Sequence, residues 1–392
     1  MNIRHITALT ALLAAAVAAS AVAPDYDAVV ADALRTGYGV RPDSLRMAAE
    51  AAAVLADNTP EGPEAEFEYL WNHDGDEGRW SVGISQSFDW PGAYSARRRQ
   101  AEAIGFAAEA SARTAALDKA LEIKLLVIDI VNARRRRDLL AHTRDNVVAI
   151  DSLTRLAYKR ESATALDIRK SALARLDIER ELALADADID ALAASLAAQG
   201  VDADTRAWVD YPRQTIHPDR LAPEMYPEYH AAVARARASR AGIDALRRST
   251  LPSLSLGVAH AYEDHSHFTG LTLGLRLPSW SRKQRERAAT LEAEAIAAES
   301  GAAVSIARAQ TAGLHDTALR LRDELDAYRS ITGDDSYLRL LEKSYTAGQI
   351  NFINYMTELN LFTEARLRFL DLEYRYQLTL ARLNKPRSAY FN

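Results

Sequence analysis

Between Glu64 and Trp71 apolar and polar residues alternate, with Ala65, Phe67, Tyr69 and Trp71 on one side and Glu64, Glu66 and Glu68 on the other. A period of two is what an extended strand imposes. Trp80 to Trp90 repeats the scheme: Trp80, Val82, Ile84, Phe88 and Trp90 oppose Ser81, Gly83, Ser85, Ser87 and Asp89. Far along the chain Leu254, Leu256 and Val258 alternate with Ser253, Ser255 and Gly257, and Leu271, Leu273, Leu275 and Leu277 alternate with Gly270, Thr272, Gly274 and Arg276. The pattern predicts four strands, at about 64–72, 79–90, 252–262 and 268–278.

The remainder reads as helix. Tracts of Ala, Leu, Arg and Glu carry few of the 17 glycines and 12 prolines, and they predict helices near 28–57, 92–158, 165–199, 225–249, 281–345 and 351–384. A helix of about 66 residues would be about 100 Å long, too long for a compact domain and suited to a bundle or tube. Gly301, Gly313 and the stretch Thr332 to Asp335 are expected to bend or break the second long helix.

These elements occur twice. Pro63 matches Pro252, Trp90 matches Trp280 and Tyr158 matches Tyr345, at offsets of 189, 190 and 187 residues. Near-constant offsets predict duplicated helix–strand–strand–helix repeats over residues 22–199 and 228–392. Residues 200–227, with Gly200, Pro212, Pro218, Pro223 and Pro227, are expected to form an irregular linker.

Strands of about ten residues suit a tilted crossing of a bilayer, and small or charged residues on the second face suit a wet lumen. Trp71, Trp80, Trp90 and Trp280 at strand ends resemble an interfacial belt. A sheet in lipid must close, and barrels begin at about eight strands, so four strands per chain require several copies. A soluble sheet with one packed face is the alternative reading of the same alternation.

Composition narrows the function. A basic residue, an apolar run from Ile6 to Ala19 and Ala19-Ser20-Ala21 fit a secretory signal over residues 1–21. Absence of Cys excludes disulfides, thiolate metal sites and a lipid-accepting Cys. The formal net charge of −6 argues against nucleic acid as a partner. HExxH, Walker-type and dinucleotide motifs, a nucleophile elbow and a Cys-His pair are all missing, so neither a catalytic residue nor a cofactor is expected.

Over nearly the whole chain after residue 21 the sequence resembles the TolC-type outer-membrane efflux proteins. AEFEYLW, RWSVGISQSFDWPG, LPSLSLGVAHAY, TLGLRLPSW and the segment from SYTAGQINF to LARLN carry the likeness. FDWPG and LPSW look most like the heavy-metal cation efflux branch, with drug exporters as close neighbours. The resemblance implies a homotrimer with a twelve-stranded barrel continued by a twelve-helix periplasmic tunnel. It implies an outer-membrane exit duct that works with a periplasmic adaptor and an inner-membrane pump, commonly of the resistance-nodulation-division type. A protein-secretion duct of the same architecture and a periplasmic helical scaffold or sensor without a pore are the competing readings.

The same resemblance assigns working residues. The turns 158–167 and 345–354 correspond to the periplasmic tip, so Tyr158, Glu161, Tyr345 and Gly348 are expected at the adaptor contact. Glu161 stands where the family pattern has the glycine found at Gly348. In relatives an acidic ring near the second tip selects cations, but Asn354 and Thr357 occupy those positions, with Glu358 next to them and Asp167 as the first-half counterpart of Asn354. Asp167 with Glu358 is therefore expected to form a cation-favouring constriction; Asp167 could equally serve as a helix-start acid.

Arg97, Arg98, Arg282 and Lys283 begin long helices, where positive charge opposes the helix dipole, so contact with anionic lipid head groups is expected of them. Arg134 to Arg137 is expected on a solvated or intersubunit face. His260, His265 and His267 crowd the second hairpin as weak candidates for metal ligands, without the spacing of a defined site.

Overall fold

A computed structural model of the chain describes residues 26–36, 41–56, 58–71, 73, 78–201, 205, 208–217, 225–277, 280–332 and 336–387. The expected signal segment lies outside the described residues, as does most of the first hairpin turn.

The order of elements is α1 (Tyr26–Thr36), α2 (Arg41–Ala56), β1 (Glu64–Leu70), β2 (Arg79–Phe88), α3 (Pro91–Lys159), α4 (Ala165–Ala198), α5 (Pro227–Ser249), β3 (Ser253–Glu263), β4 (Ser266–Arg276), α6 (Arg282–Thr332), α7 (Ser336–Thr346) and α8 (Phe352–Leu383). The fold is mainly helical with one small sheet. Two compact units share the chain: one contains residues 1–38, 118–218 and 313–392, the other residues 39–117 and 219–312.

In the second of these units the four strands form one antiparallel sheet in the order β1-β2-β3-β4. Strand pairing follows the alternation, as register must when the faces differ in polarity. Phe67 pairs with Val82, Val82 with His260, Ile84 with Val258 and Val258 with Leu271. Glu66, Gly83, Ala259 and Gly270 form the corresponding row of the other face. Gly257 is demanded by space: a Cβ there would lie 2.5 Å from the carbonyl oxygen of Ile84 and 2.6 Å from Thr272 Oγ1.

Helix α5 lies antiparallel to the first part of α3. Arg248 sits against Gly92 and Gln100 against Gly242, and Arg235 Nη2 donates to Ser111 Oγ over 3.2 Å. The buried positions of α3 in this unit are small up to Leu117 at its end: Ala93, Ala96, Ala101, Ala103, Ala107 and Ala116. Alanine lets helix backbones approach closely at no side-chain entropy cost.

In the other unit the buried stripe of α3 becomes aliphatic, with Ile123, Val127, Ile130 and Val131. They pack with Tyr26, Val30, Leu196, Trp208 and Ala381 in the main core. α4 returns along α3, as the pairs Glu122–Gln199, Arg137–Asp186 and Asp151–Ser171 record. α8 also runs antiparallel to α3, tied by Arg135–Glu373 at 2.6 Å and Tyr374–Asp129 at 2.8 Å.

Several expectations change. The first helix is two helices, with Gly37, Gly39 and Pro42 in the sequence near the break. α6 continues through Gly301 and Gly313 and ends at Thr332, where one interruption was expected; the roughly 1 kcal/mol helix penalty of each glycine is absorbed. The second hairpin closes on a two-residue turn, Asp264 and His265, both with positive φ, 50° and 58°. Trp71, Trp90 and Trp280 lie just outside the strands.

The arginine run 134–137 is only in part the solvated face expected of it. Arg135 donates to Glu373, Asp210 and the carbonyl of Val209 and lies over the Tyr211 ring, while Arg134 donates to Thr205 and Arg137 to Asp186. Arg135 and Arg137 thus tie α3 to α8 and α4, while Arg136 is exposed. The segment expected as a linker reaches into the core, where Trp208 is buried edge-on against Tyr26 with ring centres 5.5 Å apart.

Candidate functional site

The two helical hairpins of the first unit close on turns of the same construction. After α3, Glu161 N–H donates to Tyr158 O at 2.9 Å and Ser162 N–H to Ala157 O at 2.9 Å. After α7, Gly348 N–H donates to Tyr345 O at 3.0 Å and Gln349 N–H to Ser344 O at 2.9 Å. Both sets are the paired bonds that end a helix on a left-handed residue. That residue is Glu161 at φ 60° in the first turn and Gly348 at φ 70° in the second. Glycine takes this conformation freely, whereas a residue with a Cβ is strained by about 1–2 kcal/mol.

Three residues on, each turn caps the next helix. Thr164 Oγ1 accepts from Asp167 N–H at 3.1 Å, and Asp167 Oδ2 accepts from Thr164 N–H at 2.9 Å, a reciprocal capping box. Thr164 hydroxyl also donates to that carboxylate at 2.7 Å. Hydrogen bonds from Thr164 hold the Asp167 carboxyl below its ordinary pKa, so the exposed group stays charged. In the second turn Asn351 Oδ1 accepts from Asn354 N–H at 2.8 Å. Asp167 and Asn354 thus occupy the same position of their helices. Thr357 donates back to Ile353 O at 2.9 Å.

Behind each turn a hydroxyl donates to a carboxylate across the hairpin. Ser171 Oγ donates to Asp151 Oδ1 at 2.6 Å, and Arg155 Nε to Asp151 Oδ2 at 2.9 Å. The Asp151 side chain is only 3% exposed. Burial pushes its pKa up, but these hydrogen bonds and the nearby Arg175 outweigh burial and hold it below the ordinary range. In the other hairpin Tyr337 hydroxyl donates to Glu358, which raises the tyrosine pKa. Tyr345 packs on buried Tyr355, centroids 5.0 Å apart, and burial with nearby Glu342 lifts the Tyr355 pKa to about 12.

The sheet unit presents a different surface. Phe67, Ile84, Leu256, Val258, Leu271, Leu273 and Leu275 share one face, and all are exposed, Leu271 by 89% and Leu273 by 72%. Among the described residues nothing covers this face, and β1 and β4 each have one unpaired edge. Trp71, Trp90 and Trp280 are exposed beside it, and Trp80 stacks on Tyr262 at 6.2 Å.

Carboxylates within the chain partner three of the four basic helix-start residues. Arg97 meets Asp89 at 2.6 Å, Arg98 meets Glu102 at 3.2 Å and Arg282 meets Glu286 at 3.1 Å, while Lys283 is exposed. Asp89 follows β2 directly, so its bond to Arg97 fixes how α3 leaves the strand. Nothing in the sequence singled out this pair or the Asp151–Ser171 bond; in hindsight each is a carboxylate within reach of a donor on the adjoining element.

His265 occupies the hairpin turn, while His260 and His267 lie on the strands, on the apolar face. Among the described residues no group of three or more His, Cys, Asp or Glu side chains could hold a metal ion. No helix there is long and apolar enough to cross a membrane.

No family model matches the chain, and no curated protein matches it. Solved structures do. A membrane protein from Pseudomonas aeruginosa is 20% identical with a TM-score of 0.74, over 93% of this chain and 90% of that one. The CmeC outer membrane channel of Campylobacter jejuni is 14% identical with a TM-score of 0.75, over 94% and 86%. The outer membrane protein VceC of Vibrio cholerae is 12% identical with a TM-score of 0.73, over 92% and 95%.

Proposed function

We propose that this chain, which has the fold of the TolC-type outer-membrane channels, is one subunit of an outer-membrane exit duct in a Gram-negative bacterium. One observation carries the proposal: an apolar sheet face that no described residue covers, bounded by two open edges. In water such a face would be a large exposed patch and such edges would template aggregation. In lipid the face is solvated by hydrocarbon, and edges are removed by closing the sheet.

Four strands cannot close alone, so β1 of one copy pairs with β4 of the next, and three copies make a twelve-stranded barrel. Glu64, Glu66 and Glu68 then line a wet interior with small residues of β2, β3 and β4. The duplicated repeats each supply two strands and one helical hairpin. The exposed Trp71, Trp90 and Trp280 with Trp80 anchor the sheet at the interfaces, where Lys283 and the neighbouring arginines meet lipid head groups.

The hairpin turns at Glu161 and Gly348, with Tyr158 and Tyr345, form the periplasmic end, where a periplasmic adaptor docks and a pump of the resistance-nodulation-division type delivers substrate. Charged Asp167, with Glu358 behind it, repeats in each copy and favours cations over anions as small solutes pass. The subunit performs no chemistry; energy comes from the pump.

Membrane fractionation tests the proposal. The protein should resist extraction by high salt, require detergent, and run on an unheated mild-detergent gel at three times the chain mass, collapsing to one chain on heating. Release of folded monomer by salt alone would sink it and favour the helical scaffold.

A further inference from the structure

We infer that His260 and His267 form a two-imidazole site for a borderline divalent cation of the Cu2+ or Zn2+ class at the turn end of the β3–β4 hairpin. The register places Thr269 opposite His260 and His267 opposite Tyr262, so the two histidines are diagonal neighbours on one face. The two-residue turn at Asp264 and His265 leaves no slack to shift that register.

His260 Nε2 and His267 Nδ1 stand 3.2 Å apart, with the rings 5.3 Å between centres and 23° from parallel. A cation bonded to both at about 2.0–2.1 Å would subtend roughly 100°, between octahedral and tetrahedral angles. The other ring nitrogen of His260 is 2.8 Å from Thr269 Oγ1. With Nδ1–H donating to that hydroxyl, the Nε2 lone pair points at the partner ring, the arrangement by which a polar neighbour orients a ligating histidine. Trp80 at 5.6 Å and Tyr262 at 5.0 Å pack beside the two rings.

Without a metal, one N–H lies between the facing nitrogens. On binding, His267 carries its proton on Nε2 instead, exchanged through water, and Nδ1 becomes the second ligand. The number of ring protons is unchanged by this exchange. The rings lie beside Trp80, at the interfacial end of the face, where water completes the coordination. Two imidazoles select Cu2+ and Zn2+ over Ca2+ and Mg2+, with Cu2+ held more tightly. The site belongs to one hairpin and stands independently of the export reading.

Untagged full-length protein in mild detergent, titrated with CuCl2 at about pH 7.5, tests the site by calorimetry and electron paramagnetic resonance. Wild type should bind one Cu2+ per chain with hyperfine structure from two nitrogens. His260→Ala and His267→Ala should each weaken binding by about tenfold or more and remove the two-nitrogen pattern, and Thr269→Val should weaken it by about tenfold. His265→Ala should leave affinity and spectrum unchanged. His267→Gln, which keeps a polar side chain on the strand, guards against a folding defect. Unchanged affinity in the His260→Ala/His267→Ala double variant, or no binding by wild type at about 1 mM, would overturn the assignment.

Discussion

Replacing Leu273 by arginine separates a sheet in lipid from a sheet in water. Leu273 is inside the eleven-residue strand β4, flanked on its face by Leu271 and Leu275, and is already 72% exposed in the single chain. A soluble sheet would lose almost no burial, and an exposed substitution of that kind stays within about 0.5 kcal/mol. At the midplane of a bilayer the same arginine costs about 2–4 kcal/mol per chain. Urea titration of the protein folded in lipid vesicles, followed by tryptophan fluorescence and the unheated gel band, measures the difference. Glu66→Arg is the control, because Glu66 sits on the opposite face and should change stability by less than about 0.5 kcal/mol if that face is wet. A Leu273→Arg variant as stable in vesicles as the wild type would refute the lipid-facing assignment, and so would equal losses from both substitutions.

Other expectations follow from the helical hairpins. Glu161→Gly relieves a left-handed residue of about 1–2 kcal/mol of strain and adds roughly 0.5–1 kcal/mol of unfolded-state entropy cost, so it should stabilise by about 0.5–1 kcal/mol, whereas Gly348→Ala should destabilise by about 1 kcal/mol; urea midpoints decide. Ser171→Ala should cost about 1–3 kcal/mol by leaving the buried Asp151 carboxylate short of a donor. Because the folded pKa of Asp151 is depressed, its contribution is present above the unfolded value of about 3.9 and is lost as pH falls through the lower folded value; a stability profile from about pH 6 to 2 should flatten in that acid range in Asp151→Asn. Asp167→Asn keeps a side-chain oxygen for the cap but removes the charge, so single-channel recordings should show weaker cation preference with the fold intact; an unchanged preference would leave Asp167 with capping alone.

The strands were legible because a half-exposed sheet writes its register into alternate residues, and the open face of β4 is visible in Leu271, Leu273 and Leu275 before any coordinates. Turns were legible where residue type and conformation agree, as at Gly348. They were not where the two conflict: Glu161 carries no sign of a positive φ, and only its place three residues after Tyr158 suggests one. Tertiary packing hid the rest. Trp208 and Tyr211 sit among prolines and read as linker, yet the segment enters a core built by distant helices. Arg135 reads as solvated because its partners Asp210 and Glu373 lie 75 and 238 residues away. Glycines 301 and 313 misled in the other direction, since a long helix held by its neighbours tolerates them.

The open edges of β1 and β4 also bear on how the protein is made. On the function proposed above, an exported chain would carry an apolar ribbon and two unsatisfied rows of backbone donors and acceptors until it met other copies. Either edge could pair with any other exposed strand in the envelope. On that proposal, shielding of the ribbon until the copies meet is a requirement of assembly in addition to the sequence. Overproduction should fail first through strand-paired aggregates, because synthesis would outrun the encounter of matching copies.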